Sequence, residues 1–134
     1  MTTVPRGLLD TSVLIASESG RPLDTASLPD EAFISVITIA ELHAGVLAAR
    51  DTKTRSVRLA TLEAVAGLEP LPVDTAAASQ WATLTVKLAE DGRRAKVNDL
   101  WIAAIAAANN LPVITQDDDF EPIEAVGGLV VIRV

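Results

Sequence analysis

The sequence contains no cysteine, no tyrosine, one histidine, two phenylalanines and two tryptophans. Without cysteine the chain can form neither a disulfide framework nor a thiolate metal site, and one histidine excludes a histidine cluster. A reducing compartment, the cytoplasm, is therefore the expected location. The few aromatic residues also argue against a surface that binds nucleic acid by stacking exposed bases.

Long hydrophobic runs are missing, and positive charge is in deficit. No stretch approaches the length of a membrane span, and residues 10–12 interrupt the apolar N-terminus before it could resemble a signal peptide. We therefore expect an unprocessed protein without a membrane segment. The chain has 11 basic and 18 acidic residues, a net charge of −7. This charge counts against a nucleic-acid partner unless bound cations neutralise part of it.

The chain has enough apolar sequence for a folded core. Its 134 residues are 49% hydrophobic and 22% charged, which is typical of one globular domain spanning residues 1–134. Short β-rich runs alternate with helical patterns, as expected for parallel strands joined by crossover helices. We predict an α/β fold, a three-layer sandwich with a mostly parallel sheet of about five strands and helices on both faces. The predicted strands are residues 7–9, 33–36, 71–73, 112–114 and 129–132.

Acidic residues follow several of these strands. Asp10 ends the first strand and Glu41 lies in the helix after the second. Asp99 begins the apolar helix "LWIAAIAAA", and residues 117–119 are three aspartates directly after "PVI". Because parallel strands end at a common edge of the sheet, these carboxylates are expected to converge there.

Each acidic position also has a local structural explanation. Asp10 has the position of a helix N-cap, and Glu41 has the spacing of a capping box with Thr38. The helix dipole favours Asp99 in a first turn, with Asn98 before it as the cap. A polar turn accounts for some of the three aspartates.

Convergence of four carboxylates is harder to explain by capping alone. Neighbouring carboxylates repel, so either their pKa values rise or a cation binds between them. Oxygen ligands without cysteine or clustered histidine favour Mg²⁺, with Mn²⁺ as a substitute, over zinc. Such a site suits the hydrolysis of phosphodiesters, because the ion activates water and stabilises charge on the phosphate.

Four segments carry a resemblance to a known family: "LLDTSVLI", "SVITIAELHAG", "VNDLWIAAIA" and "VITQDDDF". In this order they resemble the PIN-domain ribonucleases, in particular VapC-like toxins of bacterial toxin–antitoxin pairs, over nearly the whole chain. The resemblance implies a Mg²⁺-dependent endoribonuclease that is inhibited by a cognate VapB-like antitoxin. It also implies that the chain forms a homodimer or a toxin–antitoxin hetero-oligomer.

The resemblance further implies roles for individual residues. Asp117 is preferred as the fourth acid, and Asp119 is its rival. The resemblance also favours a site role for Glu41 over the capping box. The full set is Asp10, Glu41, Asp99 and Asp117 as acidic site residues, with Ser12 and Thr115 as polar neighbours.

A basic loop precedes Asp99 and contains Arg93, Arg94 and Lys96. These side chains could contact RNA phosphates, and a solvated loop is the equally simple alternative. Receiver-like and phosphatase-like α/β domains also collect acids at strand ends, but the lysine or second aspartate that they need is missing here. The non-enzymatic alternative is a PIN-like interaction module with a silent site.

Overall fold

The structure is a computed structural model that describes residues 4–134, so residues 1–3 of the predicted domain lie outside it. The strands are β1 (Arg6–Leu9), β2 (Glu31–Phe33), β3 (Val113–Thr115) and β4 (Val131–Arg133). The helices are α1 (Thr11–Ile15), α2 (Val36–Ala48), α3 (Thr52–Ala64), α4 (Thr75–Glu90), α5 (Val97–Ala108) and α6 (Glu121–Ala125). Among the described residues the four strands are all parallel and form one sheet in the order β2-β1-β3-β4.

Helices cover both faces of this sheet. Leu8 packs with buried residues of α4, α5 and α6, whereas the next residue, Leu9, packs against a second cluster formed by Ile34, Leu42 and Val65. Because successive side chains of a strand point to opposite faces, these two clusters lie on opposite sides of the sheet. The predicted three-layer α/β fold is therefore confirmed.

The number of strands differs from the prediction. Four predicted strands are present within a few residues of their expected positions, but residues 71–73 form no strand. Leu71 makes only an isolated parallel bridge to Ser35, through hydrogen bonds with its neighbours Ile34 and Val36. Pro72 has no N–H group and cannot extend the ladder. The sheet of residues 4–134 consequently has four strands instead of about five.

Helix α5 is the most deeply buried helix, as its apolar sequence predicts. The residues from Ile102 to Ala106 are all fully buried. Helix α4 packs along α5, and the rings of Trp81 and Trp101 stack between them with centroids 5.1 Å apart. This packing fixes the start of α5, where Asp99 lies. In residues 4–134 no helix combines the length and hydropathy that crossing a bilayer requires.

Helix α3 is the least buried of the longer helices. It contains no buried residue and packs mainly on α2. Asp51 caps its first turn by accepting a hydrogen bond from Thr54 N at 2.7 Å. Thr61 donates a hydrogen bond to Glu18, which ties α3 to the 3-10 turn at Ala16–Ser19. Helix α3 is thus attached by polar contacts and by the edge of the second core cluster.

Gly7 lies in β1, where a side chain has no room. A Cβ there would stand 2.7 Å from Ile114 Cγ1 and 3.3 Å from Pro29 Cβ, and Ile114 is fully buried. We expect Gly7→Ala to lower the free energy of unfolding by about 1–3 kcal/mol, because packed side chains must shift. Urea denaturation measures this change. Gly67→Ala is the control, since a Cβ there meets nothing within 4 Å. Equal losses in both variants would refute the steric explanation.

Candidate active site

Asp10 follows β1 at the edge of the sheet where the strands end, and it is only 4% exposed. Its backbone has the N-cap position of α1, but its carboxylate makes no capping hydrogen bond. Oδ2 instead accepts hydrogen bonds from Ser12 Oγ at 2.7 Å and from Thr115 Oγ1 at 3.0 Å. The simple capping explanation is therefore wrong for this side chain, and two buried hydroxyl groups hold its carboxylate.

The two hydroxyl groups also organise the loop after β3. Ser12 Oγ accepts a hydrogen bond from Gln116 N, and Thr115 Oγ1 accepts one from Asp117 N, both at 3.0 Å. The hydroxyl oxygens are 3.2 Å apart. The backbone that carries Asp117 is thereby connected to the carboxylate of Asp10 through two short hydrogen-bonded paths.

Glu41 reaches toward α1 from the second turn of α2. Ser35, and not Thr38, caps this helix, because Ser35 Oγ accepts the hydrogen bond from Thr38 N at 3.3 Å. Glu41 Oε1 accepts a hydrogen bond from Thr11 Oγ1 at 2.7 Å, and the same hydroxyl lies 3.0 Å from Thr38 Oγ1. The capping-box alternative is wrong. The sequence analysis did not identify Thr11 as a site residue. The only sequence feature that could have indicated its role is its position directly after Asp10.

Asp99 lies in the first turn of α5, as predicted, but the residue that begins the helix differs. Lys96 has the N-cap position and Val97 is the first helical residue, so Asn98 is inside the helix and is not its cap. The Oδ2 atom of Asp99 is buried and has no hydrogen-bond partner among residues 4–134. This oxygen is thus an uncompensated acceptor at the mouth of a buried helix.

The carboxylates are close enough to raise one another's pKa values. Burial raises the pKa of Asp99 to about 7, and the negative charges of Asp10, Asp119 and Glu41 contribute to the rise. The pKa of Asp10 is raised mainly by burial, against the effect of its hydrogen bonds, and Glu41 adds to the rise. The structure therefore brings Asp10, Glu41 and Asp99 within electrostatic reach of one another.

The three aspartates after β3 have different surroundings. Asp119 Oδ2 is 2.9 Å from Lys96 Nζ, whereas Asp117 Oδ1 has only a long contact of 3.9 Å with Arg21 Nη1. Burial raises the pKa of Asp117, as do the charges of Asp10 and Asp119. Asp118 is directed to the arginine of β4. Two of the three aspartates thus border the acidic site.

The predicted basic loop contacts this site through one residue. Lys96 pairs with Asp119, and that hydrogen bond raises the pKa of Lys96. Arg93 pairs with Asp91 of its own loop, and Arg94 is exposed.

A cavity of about 330 Å³ adjoins the other side of the site, beside Glu41. It is lined by Thr11, Ile15, Glu18, Glu41, Leu42, Gly45 and Arg58.

Comparison with known proteins agrees with the fold and identifies the family. A family model for the PIN domain matches residues 7–126. The chain belongs to the PIN-domain family. It is 58% identical to "Ribonuclease VapC5" of Mycobacterium tuberculosis over 99% of this chain and 98% of that one, and 39% identical to "Ribonuclease VapC4" of the same organism over 87% and 90%. The crystal structure of the M. tuberculosis VapBC-5 toxin–antitoxin system superposes with a TM-score of 0.90 at 55% identity, covering 97% of this chain and 99% of that chain.

PIN-domain nucleases of the VapC type are metal-dependent. In residues 4–134, no three acidic or histidine side chains stand close enough together to form a complete metal-binding group. The donors nevertheless fit a hard cation. All of them are carboxylate oxygens, and the buried Oδ2 of Asp99 has no partner in the described part of the chain. Burial, and to a smaller extent the neighbouring carboxylates, raises the pKa values of Asp10 and Asp99, and a bound cation would offset both effects.

The raised pKa of Asp99 predicts how stability depends on pH. Without metal, the folded state holds a proton on Asp99 up to about pH 7, whereas the unfolded chain releases it near its ordinary pKa of 3.8. The folded state therefore binds more protons in this range, and the free energy of unfolding should fall as the pH rises from about 4 to 7. Urea denaturation in EDTA across this range measures the slope.

Asp99→Asn should flatten that slope and make the metal-free protein more stable at pH 7. Glu90→Gln is the matched control, because it removes an exposed carboxylate at the end of α4. If Asp99→Asn and Glu90→Gln leave equal slopes, uncompensated charge at Asp99 is not a source of instability.

Proposed function

We propose that this PIN-domain chain is a Mg²⁺-dependent endoribonuclease and the toxin of a toxin–antitoxin pair. The observation that carries the proposal is the convergence of Asp10, Glu41 and Asp99, whose charges act on one another at the edge of the sheet where the strands end. Its likeness to a protein named a ribonuclease, over nearly the whole chain, supports the same activity. The oxygen-only donors favour Mg²⁺, with Mn²⁺ as a substitute.

In this proposal Asp10, Asp99 and Asp117 would hold the ion, and Glu41 would contribute directly or through water. When bound, the ion makes water more acidic and stabilises charge on the scissile phosphate. Asp10 needs no rearrangement to take part, because Ser12 and Thr115 already orient its carboxylate.

Basic side chains at the border of the site would bind the RNA backbone. Lys96 lies beside Asp119, and Arg93 and Arg94 precede it in the same loop. Contacts to phosphates position the RNA without reading its sequence. We assign this role to the three residues together, and Lys96 is the one of them that contacts an acid beside the site.

The proposed functional unit is the whole chain, residues 1–134, as one PIN-like domain in the cytoplasm. The family match over residues 7–126 supports a single domain, and an RNA substrate and the absence of cysteine from the sequence favour that compartment. Limited proteolysis tests the domain, because cleavage into two stable fragments would contradict it. Fractionation of cells that produce the protein tests the location, and recovery outside the cytoplasm would contradict that.

The decisive experiment incubates purified, antitoxin-free protein with total cellular RNA, with Mg²⁺ or with EDTA. We expect discrete fragments only with Mg²⁺, and a loss of cleavage of about a hundredfold or more in Asp10→Asn and Asp99→Asn, since each removes charge that the ion requires. Asp118→Asn is the matched control, because Asp118 lies in the adjacent loop but is directed to Arg133. Circular dichroism verifies that every variant is folded.

Two results would overturn the proposal. Undiminished cleavage by folded Asp99→Asn protein would remove the carboxylate site from the mechanism. Absence of cleavage under every condition would favour the alternative function, a PIN-like interaction module with a silent site.

The fourth acid can be assigned by a pair of variants. Asp117 has no short ion pair, whereas Asp119 is already neutralised by Lys96 at 2.9 Å. We therefore expect Asp117→Asn to weaken Mg²⁺ binding by about tenfold or more and Asp119→Asn to weaken it less. Isothermal titration calorimetry with MgCl₂ and MnCl₂ measures both affinities. The reverse order would assign the fourth position to Asp119.

The proposed protein partner is a VapB-like antitoxin. The cavity beside Glu41 is bordered by the carboxylates of Glu18 and Glu41 and by the apolar side chains of Ile15 and Leu42. The basic residue in its lining, Arg58, already donates a hydrogen bond to a backbone carbonyl of α2 at 2.7 Å. A basic, partly disordered segment suits this mixture, with an arginine or lysine directed at the acids. In the RNA assay, the product of the neighbouring small gene should suppress cleavage, and unchanged cleavage would contradict the pairing.

The proposed oligomeric state can be tested on the complex of toxin and antitoxin. Light scattering of the co-purified proteins distinguishes a toxin–antitoxin hetero-oligomer from a homodimer of the toxin, which we expect when the toxin is alone. A monomeric mass for the isolated toxin would contradict the homodimer.

A further inference from the structure

Arg21 is a basic residue at the border of the acidic site whose guanidinium makes no short bond. Its nearest acidic partner is Asp117 Oδ1 at 3.9 Å, beyond hydrogen-bond distance, and its side chain is 51% exposed. Lys96, on the other border, is already bonded to Asp119 at 2.9 Å. Within residues 4–134 the donors of Arg21 are thus directed toward the site and remain available for an anionic ligand.

The backbone around Arg21 is fixed on both sides. Gly20 has a φ of 68°, a left-handed conformation that lets it end the 3-10 turn at Ala16–Ser19. Arg21 N then donates a hydrogen bond to Ala16 O at 2.9 Å. On the other side, the carbonyl of Pro22 accepts a hydrogen bond from Gln116 Nε2 at 2.7 Å. These two attachments hold the backbone of Arg21 in a defined position beside the site.

Gln116 connects this segment to the acidic site. Its Nε2 also donates a hydrogen bond to Val134 O at 3.2 Å, while its backbone N–H donates to Ser12 Oγ, the hydroxyl that holds Asp10. With two carbonyl acceptors around Nε2, the amide must point its nitrogen toward them, because the reverse orientation would place oxygen against oxygen. Oε1 is buried without a partner among the described residues. A neutral amide fits this position, because its Nε2 donates to two carbonyls and its buried Oε1 carries no full negative charge.

We propose that Arg21 binds a phosphate of the RNA backbone at the acidic site, and that Gln116 is a positioning residue that fixes the segment carrying Arg21. An RNA phosphate fits this position because a planar guanidinium can donate two hydrogen bonds to a phosphate. The positive charge also offsets the repulsion that an acidic site exerts on the RNA. This inference rests on the proposed nuclease function.

The first test compares Arg21→Ala, Arg21→Lys and the control Arg6→Ala, which removes an exposed arginine at the opposite end of β1. For cleavage of RNA with Mg²⁺, Arg21→Ala should raise KM about tenfold and change kcat less than twofold, because a phosphate contact is made before and during the reaction. Arg21→Lys should recover part of the loss, since lysine keeps the charge without the planar donor geometry. Arg6→Ala should leave both constants unchanged.

Binding is measured separately from cleavage in the Asp99→Asn background, with a fluorescein-labelled RNA of mixed sequence, about 20 nucleotides long. Loss of one phosphate contact should weaken binding and reduce the slope of log Kd against log salt concentration by about 0.7, the value for one contact on a single strand. If wild-type protein does not cleave RNA, the proposed function fails. If it cleaves but Arg21→Ala keeps its KM and its salt slope, the role of Arg21 fails instead.

Gln116 is tested through its dependence on Arg21. Gln116→Met removes the two donated hydrogen bonds without adding charge, and Gln116→Glu places a carboxylate against two carbonyl oxygens. Both should raise KM as Arg21→Ala does. Gln80→Glu, which changes the other glutamine of the chain, in α4, is the charge control and should leave KM unchanged. In the Arg21→Ala background, Gln116→Met should add no further rise, because its effect is exerted through Arg21. Additive effects, or loss of kcat alone, would overturn the positioning role.

Discussion

Repulsion between carboxylates at one edge of the sheet is the constraint on which the rest of this site depends. Parallel strands end on the same side, so a chain with acids at several strand ends brings their charges together whether or not this favours folding. Asp10 is buried there, and the pKa of Asp99 is raised to about 7. The repulsion destabilises the metal-free folded state, and a cation bound between the carboxylates would relieve it. A site that stabilised the empty state fully would bind the ion less tightly.

Compensation for the charge is unequal among the acids. Asp10 is surrounded by hydroxyl donors, Glu41 has one such donor in Thr11, and Asp99 leaves a buried oxygen without a partner. Neutral donors orient a carboxylate without cancelling its charge, whereas an ion pair such as that between Asp119 and Lys96 does both. The carboxylate of Asp10 is therefore oriented before an ion binds, whereas the buried oxygen of Asp99 still needs a partner.

The sequence predicted well whatever depends on local periodicity. Alternation of apolar runs with helical stripes gave the α/β class, and the all-round apolar segment gave the buried helix α5. It failed where one residue decides the local structure. Pro72 prevents a strand, and Asn98 lies two residues beyond the N-cap position of α5, which Lys96 occupies.

The residues that sequence reasoning missed depend on long-range contacts. Gln116 meets Pro22 across 94 positions of the chain, and no spacing pattern announces such a pair. Thr11 was likewise visible only as a neighbour of Asp10, because its hydrogen bond reaches Glu41 in a different helix. The acids themselves could be named because they lie after strands or at the start of an apolar helix, whereas the long-range contacts of Thr11 and Gln116 have no such local signal.

The contrast between α3 and α5 implies an uneven resistance to local opening. Helix α5 has fully buried residues through its centre and packs on both the sheet and α4, so we expect its amide protons to be among the most protected from exchange with solvent. Helix α3 contains no buried residue, and its packing on α2 and on the second core cluster is the contact that local opening would break. Its link to Glu18 lies beside the cavity next to Glu41. Local opening of α3 would therefore enlarge that cavity on one side, while Asp10 and Asp99, which lie at the end of β1 and in the first turn of α5, would keep their positions.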